Sequence, residues 1–371
     1  MRKPSILVTA AAGNTGFPVV MQLREKGYPV RAFVHRQSER SRLMKSAGAD
    51  VFVGNMHDIR DVREALKGMQ RAYYCAPFAA NHLHTNMIFA VAANEAKLEV
   101  VTKMTQWFSD VLHPSAYTRE HALTDEIMPW MPHVDVITIN PAIFASFYML
   151  ALPPIAQFGM MAMPDGGVNA PVSNEDMARV VVGTLINPSP HIGKCYRPTG
   201  PDLLSQPQIA EVFSKVLARK VSYSEVPIKM FIKSAKVQGF SLFEIDSVRY
   251  YFEELKRGTA AVNAPNDVVR EIGGCEPESF EVITRRYVEH NPETVQSLGN
   301  KLKVAGFLLK MFLTSAPDME DYAVQQNQPL IKNPCYAADS QAWMATHNHQ
   351  DIAVCHEGVA YEPKAVLATG T

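Results

Sequence analysis

Ile6-Leu7-Val8-Thr9-Ala10-Ala11-Ala12-Gly13-Asn14-Thr15-Gly16 is the stretch that decides how this chain folds. The compact apolar run Ser5–Thr9 reads as a buried strand. A glycine-containing turn follows, and Phe17–Lys26 then has helical spacing, closed by Gly27 at a C-cap position. A strand that enters a helix through such a turn leaves backbone N–H groups without helical partners, beside the positive end of the helix dipole. A dinucleotide pyrophosphate binds at such a place. Gly13 lets the backbone approach a phosphate, and Gly16 permits close helix–sheet packing. Thr9, Ala11, Gly13, Asn14, Thr15 and Gly16 are therefore candidate cofactor contacts. The glycine pattern is incomplete. A G-x-x-G-x-x-G spacing puts its first glycine at position 10, and a G-x-G-x-x-G spacing puts it at position 11; the chain has Ala10 and Ala11 there. A merely structural turn is the competing reading.

Outward from this turn, strand and helix alternate. Val30–His35 reads as a strand, Glu39–Ala47 as a helix ended by Gly48, and Val51–Val53 as a short strand. Ile59–Lys67 reads as a helix ended by Gly68, and Ala72–Cys75 as a strand. Asn81–Lys97 is a longer helix, Val100–Met104 a strand, Ser115–Trp130 a helix and Val134–Ile139 a strand. Alternation of this kind means parallel pairing through right-handed crossovers, hence an α/β, Rossmann-type doubly wound sheet. The end of the second strand discriminates between cofactors. An NAD site wants a carboxylate about 20 residues past the glycines, for the ribose 2′-hydroxyl. Here that place holds His35-Arg36-Gln37-Ser38, with Arg40 nearby and no acid before Glu39. A guanidinium can pair a 2′-phosphate through forked, charged hydrogen bonds. Arg36 is thus the candidate for NADP(H) selection, the alternative being a solvated arginine at a strand end.

The second half is mostly helical. Ser173–Asn187 opens with Ser173 and Asp176 in a capping arrangement, and Ser205 with Gln208 forms a capping box before a helix to about Leu217. Val221–Tyr223 suggests a short strand. Helices are expected near Ile228–Val237, Phe243–Lys256, Asn266–Ile272 and Ser279–His290. After Asn291 the periodicity weakens and Pro317, Pro329 and Pro334 punctuate the chain. The organisation expected is an NADP-binding Rossmann domain over residues 1–150, a substrate-binding lobe with sheet-completing segments over 151–290, and a C-terminal extension over 291–371.

Composition narrows the classes. Apolar residues make up 47% and charged residues 20%, as in ordinary globular chains. A net charge of -1 supplies no bulk field for nucleic acid or an anionic membrane, so neither is expected as a partner. The odd set Cys75, Cys195, Cys275, Cys335 and Cys355 lacks C-x-x-C spacing, which argues for a reducing compartment and a cytoplasmic location. The apolar run Ile6–Ala12 is too short and too soon broken for a signal peptide. Val136–Pro164 carries no charge, but Asn140, Pro141, Pro153, Pro154 and Gly159 interrupt it, so it reads as a buried strand followed by an apolar pocket wall.

The first part of the chain resembles the NmrA-like branch of the short-chain dehydrogenase/reductase superfamily. The residues that carry the likeness are Ile6–Thr9 with Gly13–Gly16, Val30–Arg36, Gly54-Asn55-Met56-His57-Asp58 and Ala65-Leu66-Lys67-Gly68. His121–Glu126 and Asn140–Phe144 continue it. Within that branch the chain is similar to the quinone reductase and triphenylmethane reductase type, which share a His-x-x-Thr-acidic pattern where His121–Asp125 stands. The resemblance implies that Asn55 and Met56 flank an adenine and that Ala76, Pro77 and Phe78 line a nicotinamide. It implies an oxidoreductase, although the branch also holds regulators that bind the cofactor and catalyse nothing.

For catalysis, short-chain dehydrogenases usually place tyrosine and lysine four residues apart on one helix face. This chain offers Tyr117-Thr118-Arg119-Glu120-His121, with histidine in the lysine's place. A protonated imidazole would stabilise phenolate only below a pKa of roughly 6.5. Tyr117 and His121 are the catalytic candidates, weighed against a packing tyrosine and a locally bonded helix histidine. Phe144, Phe147, Tyr148 and Phe158 are expected to wall a substrate pocket, against ordinary core packing. His347, His349, Cys355 and His356 match no zinc spacing, so no metal is expected. Cys75 reads as a small buried filler, with a redox role as the competing reading. The basic, apolar segment Lys301–Leu313 is expected to pack on the body or on a second subunit of a homodimer, with a membrane surface as the competing reading. The leading expectation is hydride transfer from NADPH to a small apolar carbonyl, enone or quinone-like acceptor. The alternative is a redox-sensing regulator that binds NADP(H) and acts through a protein partner.

Overall fold

The computed structural model describes residues 2–348 and 353–354. Strands β1 (Ile6–Val8), β2 (Val30–Val34), β3 (Asp50–Val53), β4 (Arg71–Tyr74), β5 (Val100–Met104) and β6 (Asp135–Ile139) alternate with helices α1 (Gly16–Glu25), α2 (Glu39–Ser46), α3 (Ile59–Leu66), α4 (His82–Ala96) and α5 (Ala116–Ile127). All six strands pair in parallel, and Cys195–Tyr196 adds a seventh parallel strand beside β6. Ala353–Val354 pairs antiparallel outside it. The order from that edge runs through β6, β5, β4, β1, β2 and β3. Strand order reverses between β1 and β4, and the crevice at the carboxyl ends of the strands there is where ligands bind such sheets.

The sheet is buried on both faces because its strands alternate into two cores. Ile6, Val8, Ala32, Val34 and Tyr73 join one core with α1 and the later helix Asn174–Ile186. Leu7, Phe33, Ala72, Tyr74 and Val101 join the other with α3 and α4. The predicted helix Ser115–Trp130 is shorter. The α-helix stops at Ile127, and Met128–Trp130 is a 3-10 turn containing Pro129, since a proline disfavours continued α geometry before it.

The apolar stretch after β6 folds as a 3-10 segment Ala145–Ala151, helix Leu152–Phe158 and strand Met160–Met163. That strand pairs in parallel with Ser222–Glu225. Around it lies a separate core that includes Trp107, Tyr148, Phe213, Phe252 and Trp343. Among the described residues no helix is long and apolar enough to cross a membrane.

Beyond Asn291 the structure departs from the expectation of fading order. Helices span Leu298–Leu313, Met319–Gln325 and Gln341–His347, opened by Ser297, Asp318 and Ser340, whose side chains each cap a backbone N–H. The last part is tied to the loop after β5. Cys335 N donates to Leu112 O at 2.8 Å and Trp343 Nε1 to Trp107 O at 3.2 Å. Arg119 donates to the Pro329 carbonyl, and Ala337 N to the buried Glu254 at 2.7 Å.

Candidate active site

The turn between β1 and α1 has a glycine-like backbone without the first glycine. Ala10 takes a φ of +44°, the left-handed region that L residues enter at a cost. Its carbonyl accepts the Gly13 amide at 2.8 Å. A Cβ on Gly16 would lie 2.5 Å from that carbonyl oxygen and 2.8 Å from Ala11 Cα, both backbone atoms. Position 16 therefore admits only glycine if the turn keeps its shape. Gly13 is less restricted: its Cβ would stand 3.0 Å from Ala10 O.

A cavity of about 360 Å³ opens beside this turn, lined by Ala10, Gly13, His35, Asn55, Met56 and Pro77 among others. The expected residues Gly13, Asn55, Met56 and Pro77 are thus brought together. Thr9 and Ala11 are fully buried beneath the cavity. Thr9 Oγ1 accepts from Cys75 N at 2.9 Å and donates to Cys75 O at 3.0 Å, stitching the end of β1 to the end of β4. Its part is to hold the floor. Cys75 is a buried thiol pushed up to about 11 by burial, which fits a filler. Asn55 is held from both sides: its amide donates to Asp61 Oδ2 at 2.7 Å, and its Oδ1 accepts from His57 N at 3.0 Å.

Arg36 is exposed at the end of β2. Arg40, on the first turn of α2, is the arginine that reaches the turn between β1 and α1. Its Nη1 donates to Ala12 O at 3.0 Å and Asn14 Oδ1 at 3.1 Å, and its guanidinium lies 5.4 Å from the Phe17 ring. Ser38 starts α2 through a reciprocal capping box with Ser41, which directs Arg40 back across the turn. Sequence reading placed Arg40 only as a neighbour. The capping serine two residues before it was the available signal.

Tyr117 and His121 lie together one helical turn apart, with ring centroids 4.7 Å apart and each 8% exposed. Phe78 packs on Tyr117 at 5.1 Å, so the loop Ala76–Phe78 joins this pocket to the cavity at Pro77. Phe243 covers Tyr117 at 5.3 Å, and His82 approaches it at 4.8 Å and His121 at 4.1 Å. Below them lies a buried ion pair, Lys103 with Asp125, its side chains 1% and 2% exposed. Asp125 also accepts from Thr105 Oγ1 at 3.0 Å and Ser109 Oγ at 3.1 Å. Since Thr105 spends its single proton on Asp125, the 3.1 Å contact between Thr105 Oγ1 and His121 Nδ1 requires the imidazole to donate. His121 is then the Nδ1–H tautomer with its acceptor at Nε2.

Electrostatics keep this pocket neutral. Burial holds His121 well below the ordinary histidine range, with His82 and Lys103 acting in the same direction. Burial lowers His82 to about 4, partly opposed by Asp125. Burial also drives the Tyr117 phenol well above its usual range. An imidazolium that stabilises phenolate is therefore disfavoured here at neutral pH. Sequence reading did not find His82, Lys103 or Thr105. Lys103 had a visible signal, a lysine inside the apolar strand Val100–Met104.

Of the four expected pocket-wall residues, Phe147 lines an apolar cavity, with Met160, Met230, Phe231, Phe307 and Met311 among its neighbours. Tyr148 is fully buried, its hydroxyl accepting from Asn169 at 2.8 Å and Gln206 at 3.2 Å. Phe144 packs against the sheet core and Phe158 is exposed. Among the described residues no cluster of histidine, cysteine, aspartate and glutamate could hold a metal ion. His347 stacks on Trp343 at 4.3 Å, while His349, Cys355 and His356 lie outside the described residues.

The chain is similar to several known proteins. The chain is 24% identical to an NAD(P)H azoreductase of Xenophilus azovorans over 230 residues, 60% of this chain and 78% of that protein. It is 39% identical to the sterol demethylase protein B of Methylococcus capsulatus over 165 residues, 37% of this chain and half of that one. An NADPH-dependent quinone oxidoreductase of Escherichia coli, solved with NADPH, superposes with a TM-score of 0.65 at 17% identity. That match covers 76% of this chain and 99% of the oxidoreductase, and it shows the fold. Residues 2–103 match the NmrA-like family. That matched span lies within a Rossmann-type α/β fold.

Proposed function

We propose that the protein is an NADP(H)-dependent oxidoreductase that passes a hydride to an apolar carbonyl, enone or quinone-like acceptor. The observation that carries it is the turn itself. A left-handed Ala10, a Gly16 with no room for a side chain and an arginine laid across the turn make a cradle for an anionic dinucleotide, at the switch point of the sheet. The same cradle lies within residues 2–103, the span that matches the NmrA-like family.

The residues fit the cofactor part by part. The N-terminus of α1 with Gly13 and Asn14 would hold the pyrophosphate, and Arg36 with Arg40 the 2′-phosphate. Asn55 and Met56 would flank the adenine, and Ala76, Pro77 and Phe78 the nicotinamide. Bound NADPH supplies the hydride. What the chain's own residues contribute is position and dryness. Phe78, Phe243 and Tyr117 exclude water, and a neutral His121 offers an acceptor at Nε2. Tyr117 stays protonated and serves at most as a hydrogen-bond donor. This suits an acceptor that needs little proton help in the slow step. It gives no advantage to a carbonyl that relies on an activated tyrosine.

The test is NADPH oxidation against a panel of quinones, enones and aldehydes. Turnover is expected with a quinone or enone, with Tyr117→Phe costing less than about tenfold and His121→Ala more. A loss of about 10²–10⁴ in Tyr117→Phe would instead mark a positioned general acid. Tight NADPH binding with no acceptor oxidising it would remove the enzymatic reading.

A further inference from the structure

The helix Leu298–Leu313 turns apolar residues to both the protein and the solvent. Val304 and Met311 are buried against helices Leu152–Phe158 and Ile228–Val237, and Phe307 and Leu308 are half-buried on the same side. The opposite side is not polar. Leu298, Leu302, Leu309, Phe312 and Leu313 are exposed by 75%, 63%, 61%, 63% and 78%. At about 100° per residue these five fall within one stripe about 100° wide. The small residues Ala305 and Gly306 lie exposed in or beside it. Lys301 stands at one edge of the stripe, and Lys303 and Lys310 at the other. No acidic residue occurs between Leu298 and Leu313.

This is the arrangement of a helix that lies in the plane of a lipid headgroup layer. Its apolar stripe enters the acyl boundary, while lysines on both flanks reach up to anionic headgroups with their stems along the stripe. A soluble monomer rarely leaves so continuous an apolar stripe in water. A second copy of the chain would also cover it. However, two such faces meeting would bring six lysines together with no acid from either helix to pair them, so charge complementarity favours an anionic bilayer. We propose that the Leu298–Leu313 helix docks the protein on an anionic membrane surface, as a peripheral contact and not a span. The net charge of -1, which argues against membrane binding by the chain as a whole, does not describe this local face. The inner side of the same helix closes the apolar cavity through Phe307, Leu308 and Met311. The docking itself rests on the helix and does not depend on the redox reading.

Co-sedimentation of the full chain with vesicles decides it. Phosphatidylcholine vesicles containing phosphatidylglycerol should carry the protein down, phosphatidylcholine alone should do so weakly, and added salt should release it. Lys301→Glu, Lys303→Glu and Lys310→Glu should each weaken binding to the anionic vesicles by roughly fivefold or more. Leu302→Glu and Leu309→Glu should abolish binding while leaving the melting temperature of these exposed-site variants unchanged. Failure to sediment with anionic vesicles, or binding that survives Leu302→Glu, would overturn the proposal. So would a concentration-dependent dimer that Leu302→Glu dissolves, with no vesicle binding by the unaltered protein.

Discussion

The β1–α1 turn and the Tyr117–His121 pocket sit on either side of the same loop, Ala76–Phe78, yet they are built on opposite physics. The turn is open, backbone-made and set for negative charge: amides at a helix start, a glycine with no room for a side chain, and arginines at the rim. The pocket is dry, side-chain-made and neutral: two imidazoles and a phenol all shifted by burial toward their uncharged forms. A buried ion pair, Lys103 with Asp125, lies beneath the pocket. The comparison separates two tasks, holding an anion and excluding water around an apolar acceptor. It also says which of them leaves a mark in sequence.

The largest break in the comparison should come from Gly16→Val. Its side chain would meet the Ala10 carbonyl and Ala11 Cα at backbone distances that cannot relax cheaply. A destabilisation of about 3 kcal/mol or more is expected, with loss of NADPH binding. Thermal melting and cofactor titration check both. A variant that melts normally and binds NADPH would show that the turn is not close-packed.

Acid should attack the neutral pocket next. Below an unfolded-state pKa of roughly 6.5, the unfolded chain takes up protons on His82 and His121 that the folded chain refuses. Both folded values are lowered, so stability is full above that pH and falls as pH drops toward 4, the value to which His82 is lowered. For His82 alone the loss is on the order of 3 kcal/mol. Denaturant melts at pH 7 and pH 5 should show about half of it, and His82→Asn should flatten the slope. Unchanged stability between those two pH values would mean the imidazoles are not buried neutral.

The smallest effect is a gain. Ala10 bears a left-handed φ without being glycine. Ala10→Gly should raise stability by about 0.5–1 kcal/mol, the relief of left-handed strain less the greater unfolded freedom of glycine. A lower melting temperature would show that the methyl group contributes packing that outweighs the strain.

The two regions differ in legibility for the same reason that they differ in physics. The turn is local. Strand, glycines and helix start are contiguous from Ile6 to Gly16, and the alternation that follows fixes parallel order through to Ile139. The helix near Ile228–Val237 was equally readable, since its stripe faces one way. The pocket instead gathers Phe78, His82, Lys103, His121 and Phe243 from separate segments. The spacing of Tyr117 and His121, with the resemblance at His121–Asp125 and Phe78, pointed to it, but neither carries information about desolvation. The helices after Asn291 were hidden by their own composition. Apolar residues on two faces of Leu298–Leu313 erase the one-sided period, although Ser297, Asp318 and Ser340 stood as caps at the three starts. Likewise, Arg40 was overshadowed by Arg36 because strand ends are where sequence reasoning looks for the 2′-phosphate partner.

The central claim is that the open turn is an NADP(H) site chosen by arginine and not by an acid. Titration of the purified protein with NADPH and with NADH measures it most directly. A forked charge pair contributes about 1.5–3 kcal/mol, so NADPH should bind at least tenfold more tightly. That ratio should collapse toward one when Arg36 and Arg40 are both replaced by alanine. Equal dissociation constants for the two cofactors in the unaltered protein, or a preference untouched by the double replacement, would contradict the account.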